Sequence, residues 1–275
     1  MPNVLLLANE TIAGKRLLDR VRERAAEGDD LHFHVVVPQA RPRHGNVIYD
    51  EVVRDSAQVR VDLALEFLRD LGVDGTGEVG DADPFNAAMD AIRERPIDDI
   101  LVSTLPASSS GWLNRDLIGR LQDETGVPVE HVVVDLAGEG LPFGVTLVVA
   151  NLTVAAPELV ERLKSLAAEG PRRFIAVVPQ SSVHGFAVRE ARERLRRLLR
   201  SLDEADIVSA GMIGDPDPYT AVMNAVEYFH LSEIVISTLP EDRSKWVADK
   251  LVDRVRGAAN LPVEHIESRV SAEAA

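Results

Sequence analysis

The chain has 275 residues, with 30 Lys+Arg against 45 Asp+Glu for a formal net charge of −15, 45% hydrophobic residues and no cysteine. That length makes one or two domains of about 100–200 residues, and the composition is that of a folded globular chain rather than a disordered, collagenous or disulfide-framed one. The lack of cysteine excludes thiol catalysis, Cys-ligated zinc and iron–sulfur clusters, and the acidic balance argues against nucleic acid as a partner, since that affinity comes from Lys and Arg.

The apolar run at 4–8 predicts a strand buried on both faces. Leu17, Leu18, Val21 and Ala25 follow at spacings of three and four and predict a helix. A second strand is expected at 33–37, a helix through Val61, Leu65 and Leu68, and a weaker strand at 76–79. Pro84-Phe85 opens a third helix, with Asp83 as its N-cap and Ala88, Ala91 and Ile92 facing inward. Strands at 99–103 and 129–134 close the set, with a fourth helix between them that Ser110, just before Trp112, is placed to cap. No run reaches the ~18 apolar residues of a membrane helix, and Met1-Pro2-Asn3 lacks a basic signal-peptide start. A cytoplasmic chain without membrane insertion is expected.

The chain is then written a second time. Val4–Thr11 recurs as Thr146–Thr153, an offset of 142. Val36-Val37-Pro38-Gln39 recurs as Val177-Val178-Pro179-Gln180, and Gly80-Asp81-Ala82-Asp83-Pro84 as Gly214-Asp215-Pro216-Asp217-Pro218. Ile100–Pro106 returns as Ile234–Pro240, followed in both copies by a Ser and a Trp, Ser110/Trp112 and Ser244/Trp246. Pro128-Val129-Glu130-His131 returns as Pro262-Val263-Glu264-His265. The late blocks share an offset of 134, so the first copy carries about eight extra residues, mostly between Pro38 and Gly77. Strand and helix alternate without hairpin turns, and right-handed crossovers then give parallel pairing with helices on both faces. The fold class is α/β, two tandem Rossmann-like, doubly wound parallel five-stranded sheets. The domains are expected at 1–137 and 145–270, with Gly138, Gly140 and Gly144 in a short linker.

The first copy holds 14 basic and 26 acidic residues and the second 16 and 19. Much of the difference is the helical run Arg189, Arg192, Arg194, Arg196, Arg197 and Arg200, read as a solvated face paired with Glu190 and Glu193 or as a dock for an acidic partner, the first copy included.

In an open parallel sheet, ligands bind beyond the carboxyl ends of the strands, where strand order reverses. The candidate residues lie there: Ala8, Asn9 and Thr11 after the first strand, Val37 and Pro38 at the second, Gly80 and Asp81 after the third, and Ser103, Thr104 and Ser110 at the fourth. The second copy supplies Ala150, Asn151, Thr153, Val178, Pro179, Gly214, Asp215, Ser237, Thr238 and Ser244. Asn9 and Thr11 equally suit capping of the first helix, and Ser244, like Ser110, capping of the fourth. His131 and His265 recur on the fifth strand and read as strand-face or interface residues, and Trp112 and Trp246 as packing anchors or stacking surfaces. No phosphate loop, dinucleotide fingerprint or nucleophile elbow is present, and no metal site is predicted.

The tandem halves of about 135 residues, the five alternating strands, the extended loop after the fourth and the closing Pro-Val strand resemble the universal stress protein family. The Ser-Thr-x-Pro loop followed by Ser-x-Trp is also similar to soluble tails of some amino-acid permeases. The resemblance implies sheet order 3-2-1-4-5, pairing of the two domains through their fifth strands, a possible homodimer, and ATP or AMP at the switch point between strands 1 and 4. Nucleotide-binding members carry Gly-x2-Gly-x9-Gly-Ser/Thr. Here those positions hold Ser103, Pro106, Asp116 and Leu117, and Ser237, Pro240, Lys250 and Leu251, of which only Lys250 would attract a phosphate. The expected function is a non-enzymatic stress-response or regulatory binding protein for a small-molecule ligand. The alternatives are an interaction protein with vestigial nucleotide sites, docking a protein partner, or a nucleotide hydrolase using Asp81 or Asp215.

Overall fold

A computed structural model describes residues 2–27, 31–41, 49–113, 116–182 and 185–269. Two compact units are present, one of Met1–Ala40 and Ala57–Pro142, the other of Arg41–Ser56 and Phe143–Ala275. The segment after the second strand, where the first copy is longer, is thus grouped with the second unit.

In the first unit β1 (Asn3–Leu7), β2 (His32–Pro38), β3 (Asp74–Gly80), β4 (Asp99–Thr104) and β5 (Val129–Val133) form one parallel sheet in the order β3-β2-β1-β4-β5. In the second unit β6 (Gly144–Val149), β7 (Arg172–Pro179), β8 (Ser209–Gly214), β9 (Glu233–Thr238) and β10 (Val263–Glu267) repeat it as β10-β9-β6-β7-β8. This is the order that the resemblance implies, written twice.

Helices α1 (Lys15–Glu27), α2 (Asp50–Asp70), α3 (Pro84–Glu94) and α4 (Leu117–Thr125) alternate with the first five strands, and α5 (Leu136–Glu139) is a single turn. Alternation along β1 divides the core: Val4, Leu6 and Ala8 join Leu17, Val21, Phe33 and Leu68 on one face, while Leu5 and Leu7 join Val36, Ala87, Ala88 and Ile100 on the other. A central strand with both faces covered has no polar side, which is why these strands read as unbroken apolar runs. The second unit has α6 (Pro157–Ala168), α7 (Gly185–Asp203), α8 (Pro218–Tyr228), the single turn α9 (Lys245–Ala248) and α10 (Leu251–Ala258). Asp83 Oδ1 accepts from the amides of Phe85 and Asn86 at 2.9 and 3.3 Å, and Asp217 Oδ2 accepts from Thr220 at 2.9 Å, each ahead of a proline at the first helical position.

The glycine-rich stretch before β6 contains α5, which Asp135 caps by accepting from the amides of Ala137 and Gly138. One expectation needs correction. The fourth helix does not start at Ser110 or Ser244. Ser244 Oγ caps only the short α9, and the long helices begin after Asp116 and Lys250. Both of these residues are left-handed, with φ of 49° and 53°, so the chain reverses once more before the helix can run. Among the described residues no helix is long and apolar enough to cross a membrane.

Candidate functional site

The carboxyl edge of the first sheet is assembled by hydrogen bonds from the residues that the repeat marks. Thr11 is buried, and its Oγ1 donates to the Ser103 carbonyl at 3.2 Å, tying the turn after β1 to the tip of β4. Thr153 does the same to the Ser237 carbonyl, again at 3.2 Å. Thr104 Oγ1 donates to the Leu105 carbonyl at 2.8 Å, so its lone pairs receive His131 Nε2 at 2.9 Å. Thr238 repeats this with Leu239 and His265, both at 2.8 Å. The recurrent histidines therefore brace the loop after the fourth strand, and burial holds the His131 imidazole below the ordinary histidine pKa. Ser110 Oγ accepts from the Leu113 amide at 3.4 Å and Ser244 Oγ from that of Val247 at 3.3 Å.

These ties frame a half-open cavity of about 80 Å³ in the first unit. Asn9, Thr11, Ser103, Thr104 and Ser110 all line it, and so do Trp112, expected as a packing anchor or a stacking surface, and Glu10 and Ser109, which were not among the candidates. Asn9 heads the 3-10 turn Glu10–Ala13, but its side chain makes no capping bond. Asn9 Oδ1 and Ser103 Oγ are both buried and have no hydrogen-bond partner among the described residues. A buried polar atom left so costs about 1–3 kcal/mol. Two on one small cavity make it a place where hydrogen-bonding groups of a guest would be stabilised.

The second unit satisfies the same two atoms from within. Ser237 Oγ donates to Thr153 Oγ1 at 2.8 Å and meets Ser268 Oγ at 3.0 Å; at the offset of 134, Ser268 corresponds to Val134, which has no hydroxyl to offer. Asn151 Oδ1 accepts from Arg194 Nη1 at 3.0 Å, and the same guanidinium reaches Glu190 at 3.3 Å. The arginine run on α7 is otherwise divided: Arg189 pairs with Glu193 at 4.0 Å, and Arg192 makes a two-pronged pair with Asp55 at 3.0 and 3.1 Å. Asp55 belongs to the first sequence copy but to the segment that packs in the second unit.

The remaining candidates lie elsewhere. Ala8, Val37, Ala150 and Val178 are fully buried core residues. Pro38 and Pro179 end β2 and β7, and the glutamines after them donate to the Gly80 and Gly214 carbonyls at 3.3 and 3.1 Å. Gly80 and Gly214 are packing positions: a Cβ there would meet Ala87 Cβ at 2.6 Å and Ala221 Cβ at 2.7 Å. Asp81 and Asp215 each accept, at 2.8 Å, from the amide two residues on, closing the turn into α3 and α8. Burial pushes the Asp215 carboxyl above the usual range. Lys250 is an exposed left-handed residue. Among the described residues no group of three or more His, Asp or Glu is placed to hold a metal ion.

No family model matches the chain, and no curated protein matches it. Among solved structures, a universal stress protein from Archaeoglobus fulgidus is similar at 14% identity over 96% of each chain, with a TM-score of 0.37. A universal stress protein family protein from Arabidopsis thaliana, solved with AMP bound, is similar at 16% identity over 50% of this chain and 95% of its own, with a TM-score of 0.35. A histidinol dehydrogenase from Elizabethkingia anophelis is similar at 13% identity over 99% of this chain and 54% of its own, at a TM-score of 0.24. At these values the fold assignment rests on the strand order itself.

Proposed function

We propose that the chain is a non-enzymatic regulatory binding protein of the universal-stress-protein type, in which the first half takes a small ligand at its strand-tip cavity. The observation that carries this reading is the pair of buried, unpartnered atoms, Asn9 Oδ1 and Ser103 Oγ, on two residues that line one cavity in the first unit, against their satisfied counterparts Asn151 and Ser237 in the second. Ligand sites of drug size run to about 300–1,000 Å³. At about 80 Å³ this cavity takes only one end of a ligand, and the rest lies in its open mouth.

For an adenine nucleotide, that end is the base. Asn9 Oδ1 would accept from the exocyclic amine, with Trp112 beside the ring. The phosphates find little to hold them. Glu10 is the charged residue among the described lining, and a phosphate about 4 Å from it is opposed by roughly 1–4 kcal/mol at effective dielectrics from water to protein surface. Pro106 and Pro240 have no amide to offer at the loop. AMP and ATP therefore bind in a non-standard way and more weakly than the nucleoside. Calorimetric titration of the whole chain with adenosine, AMP and ATP tests this. The expected affinity falls in that order, and Asn9→Ala abolishes it. ATP binding tightest, or no heat with any of the three, refutes it.

A second reading, an interaction protein with vestigial sites, draws on the second unit, where Asn151 is occupied by Arg194 while Leu152 and Phe186 are 57% and 65% exposed. A nucleotide hydrolase gains no support, since Asp81 and Asp215 are committed to turn amides. Pairing through β5 and β10, within one chain or between two, stays part of the first reading, because each lies at an end of its sheet.

A further inference from the structure

The two halves answer one question differently: what fills the acceptor at the tip of the first strand? In the second unit the answer is a guanidinium. Arg194, one residue before Leu195 on α7, brings Nη1 to Asn151 Oδ1 at 3.0 Å. Leu195 packs on Gly211 as Val61 packs on Gly77, each side chain 2.6 Å from where a Cβ would stand, so Arg60 is the counterpart of Arg194. Arg60 nevertheless makes no hydrogen bond to Asn9 Oδ1. The atom that the second unit pairs with a planar, N–H-rich cation is thus left without a hydrogen bond in the first, on a residue that lines the cavity.

The rest of the cavity suits a guest bearing such a cation. Glu10 supplies a carboxylate where the second copy has Leu152, no Lys or Arg is among the described lining residues, and Trp112, packed in part on the core, is the aromatic residue of the lining. Guanidinium groups stack on aromatic faces and donate in a fixed fork. At about 80 Å³ the cavity has room for a head group of a few heavy atoms.

We infer that the first unit's strand-tip cavity is a binding site for a guanidinium- or amidinium-bearing small molecule, held by Asn9 Oδ1, Ser103 Oγ and the Glu10 carboxylate. The inference rests on the ligand-binding reading above and specifies the ligand's chemical class. Calorimetric titration of the full chain with methylguanidinium is the test, with tetramethylammonium as a cation without N–H donors, inorganic phosphate as an anion, and adenosine as the comparator for the base-first reading. The expected result is saturable binding of one methylguanidinium per chain, at least about tenfold tighter than tetramethylammonium, and no phosphate binding. Asn9→Ala and the exposed Glu10→Gln each weaken it about tenfold, while Asn9→Asp tightens it, because the acceptor becomes charged. Absence of saturable methylguanidinium binding, equal binding of tetramethylammonium, or indifference to Glu10→Gln and Asn9→Asp overturns the inference. Adenosine binding without methylguanidinium binding overturns it while sparing the base-first reading; the converse supports it and removes that reading.

Discussion

Replacing Gly80 by Ala adds one methyl where β3 runs against α3. The new Cβ would stand 2.6 Å from Ala87 Cβ and 2.9 Å from Val36 Cγ1, both fully buried. Carbon atoms rest at about 3.5–4.0 Å, so α3 must withdraw by about 1 Å or β3 must bend. Overpacking of this kind costs about 1–3 kcal/mol, and the smaller entropy of the unfolded alanine returns about 0.4–1 kcal/mol. The net loss is about 1–2 kcal/mol. Gly214→Ala meets Ala221 Cβ at 2.7 Å and Val177 Cγ1 at 2.9 Å and loses the same amount in the second unit. The chain carries one tryptophan in each copy, Trp112 and Trp246, so urea unfolding followed by fluorescence in a Trp246→Phe or Trp112→Phe background reads one half at a time. With m near 1–3 kcal/mol/M, the midpoint of the substituted half falls by about 0.5–1 M, while the other half keeps its midpoint. A shift below about 0.2 M in both variants would refute the packing role of these glycines and restore them as ligand-contact candidates.

Acid sensitivity centres on His34, which is 1% exposed on β2. Arg95 Nη1 stands 2.7 Å from its Nδ1 and Glu78 Oε1 3.0 Å from its Nε2, with Thr76 at 2.9 Å and His32 close by. Arginine can only donate, so Nδ1 accepts and the ring is neutral. Burial lowers its pKa in the folded state. The unfolded chain then binds the proton more readily, so the stability of the first half holds above about pH 6.5 and falls as pH drops toward the depressed folded value, by up to about 1.4 kcal/mol per pH unit. Denaturation midpoints from pH 8 to 5 should show this slope, and His34→Gln should lessen it, leaving the share of His131, whose pKa burial also lowers. Arg24 is 13% exposed in its side chain and lies 2.6 Å from Asp99 and 2.7 Å from Glu130. Arg24→Leu takes this partner from Asp99 while Glu130 keeps Arg20 at 2.5 and 3.2 Å, and should cost about 1.5–3 kcal/mol by urea unfolding; a loss under 0.5 kcal/mol (about the scatter of surface changes) contradicts it. Lys250→Gly and Asp116→Gly relieve left-handed strain of about 1–2 kcal/mol against roughly 0.5–1 kcal/mol of added chain entropy. Both should raise the midpoint of their own half, Lys250→Gly more, since aspartate tolerates this conformation better than lysine.

The layout of the fold was legible because the repeat and the strand pattern are local signals. The run Val4–Ala8 reads as buried on both faces because alternate residues enter two cores, and Asp83-Pro84 announces α3 through its cap and its fixed φ. The start of the fourth helix was not legible, since nothing in Asp116 or Lys250 as residue types announces a left-handed turn. At the site, Asn9, Thr11, Ser103, Thr104 and Ser110 line one cavity, but the repeat marked Gly80 and Asp81 equally, although one is a packing contact and the other a turn cap. Recurrence reports shared structure, whichever force maintains it. The asymmetry of the halves lies in the residues that do not recur. Val134 against Ser268 and Glu10 against Leu152 were visible at fixed offsets. Arg194 reaching Asn151 depends on how α7 lies over β6, a tertiary relation across 43 residues that no local pattern encodes.

Side-chain amide NMR reports most directly on the claim that the first half carries the open site and the second is closed from within. With the Asn9 and Asn151 resonances assigned through Asn9→Asp and Asn151→Asp, the full chain is titrated with whichever of adenosine or methylguanidinium binds it more tightly. The Asn9 amide should move in step with saturation while Asn151, held by Arg194, stays in place. Movement of Asn151 first, or saturable binding that leaves Asn9 unmoved, would contradict the account.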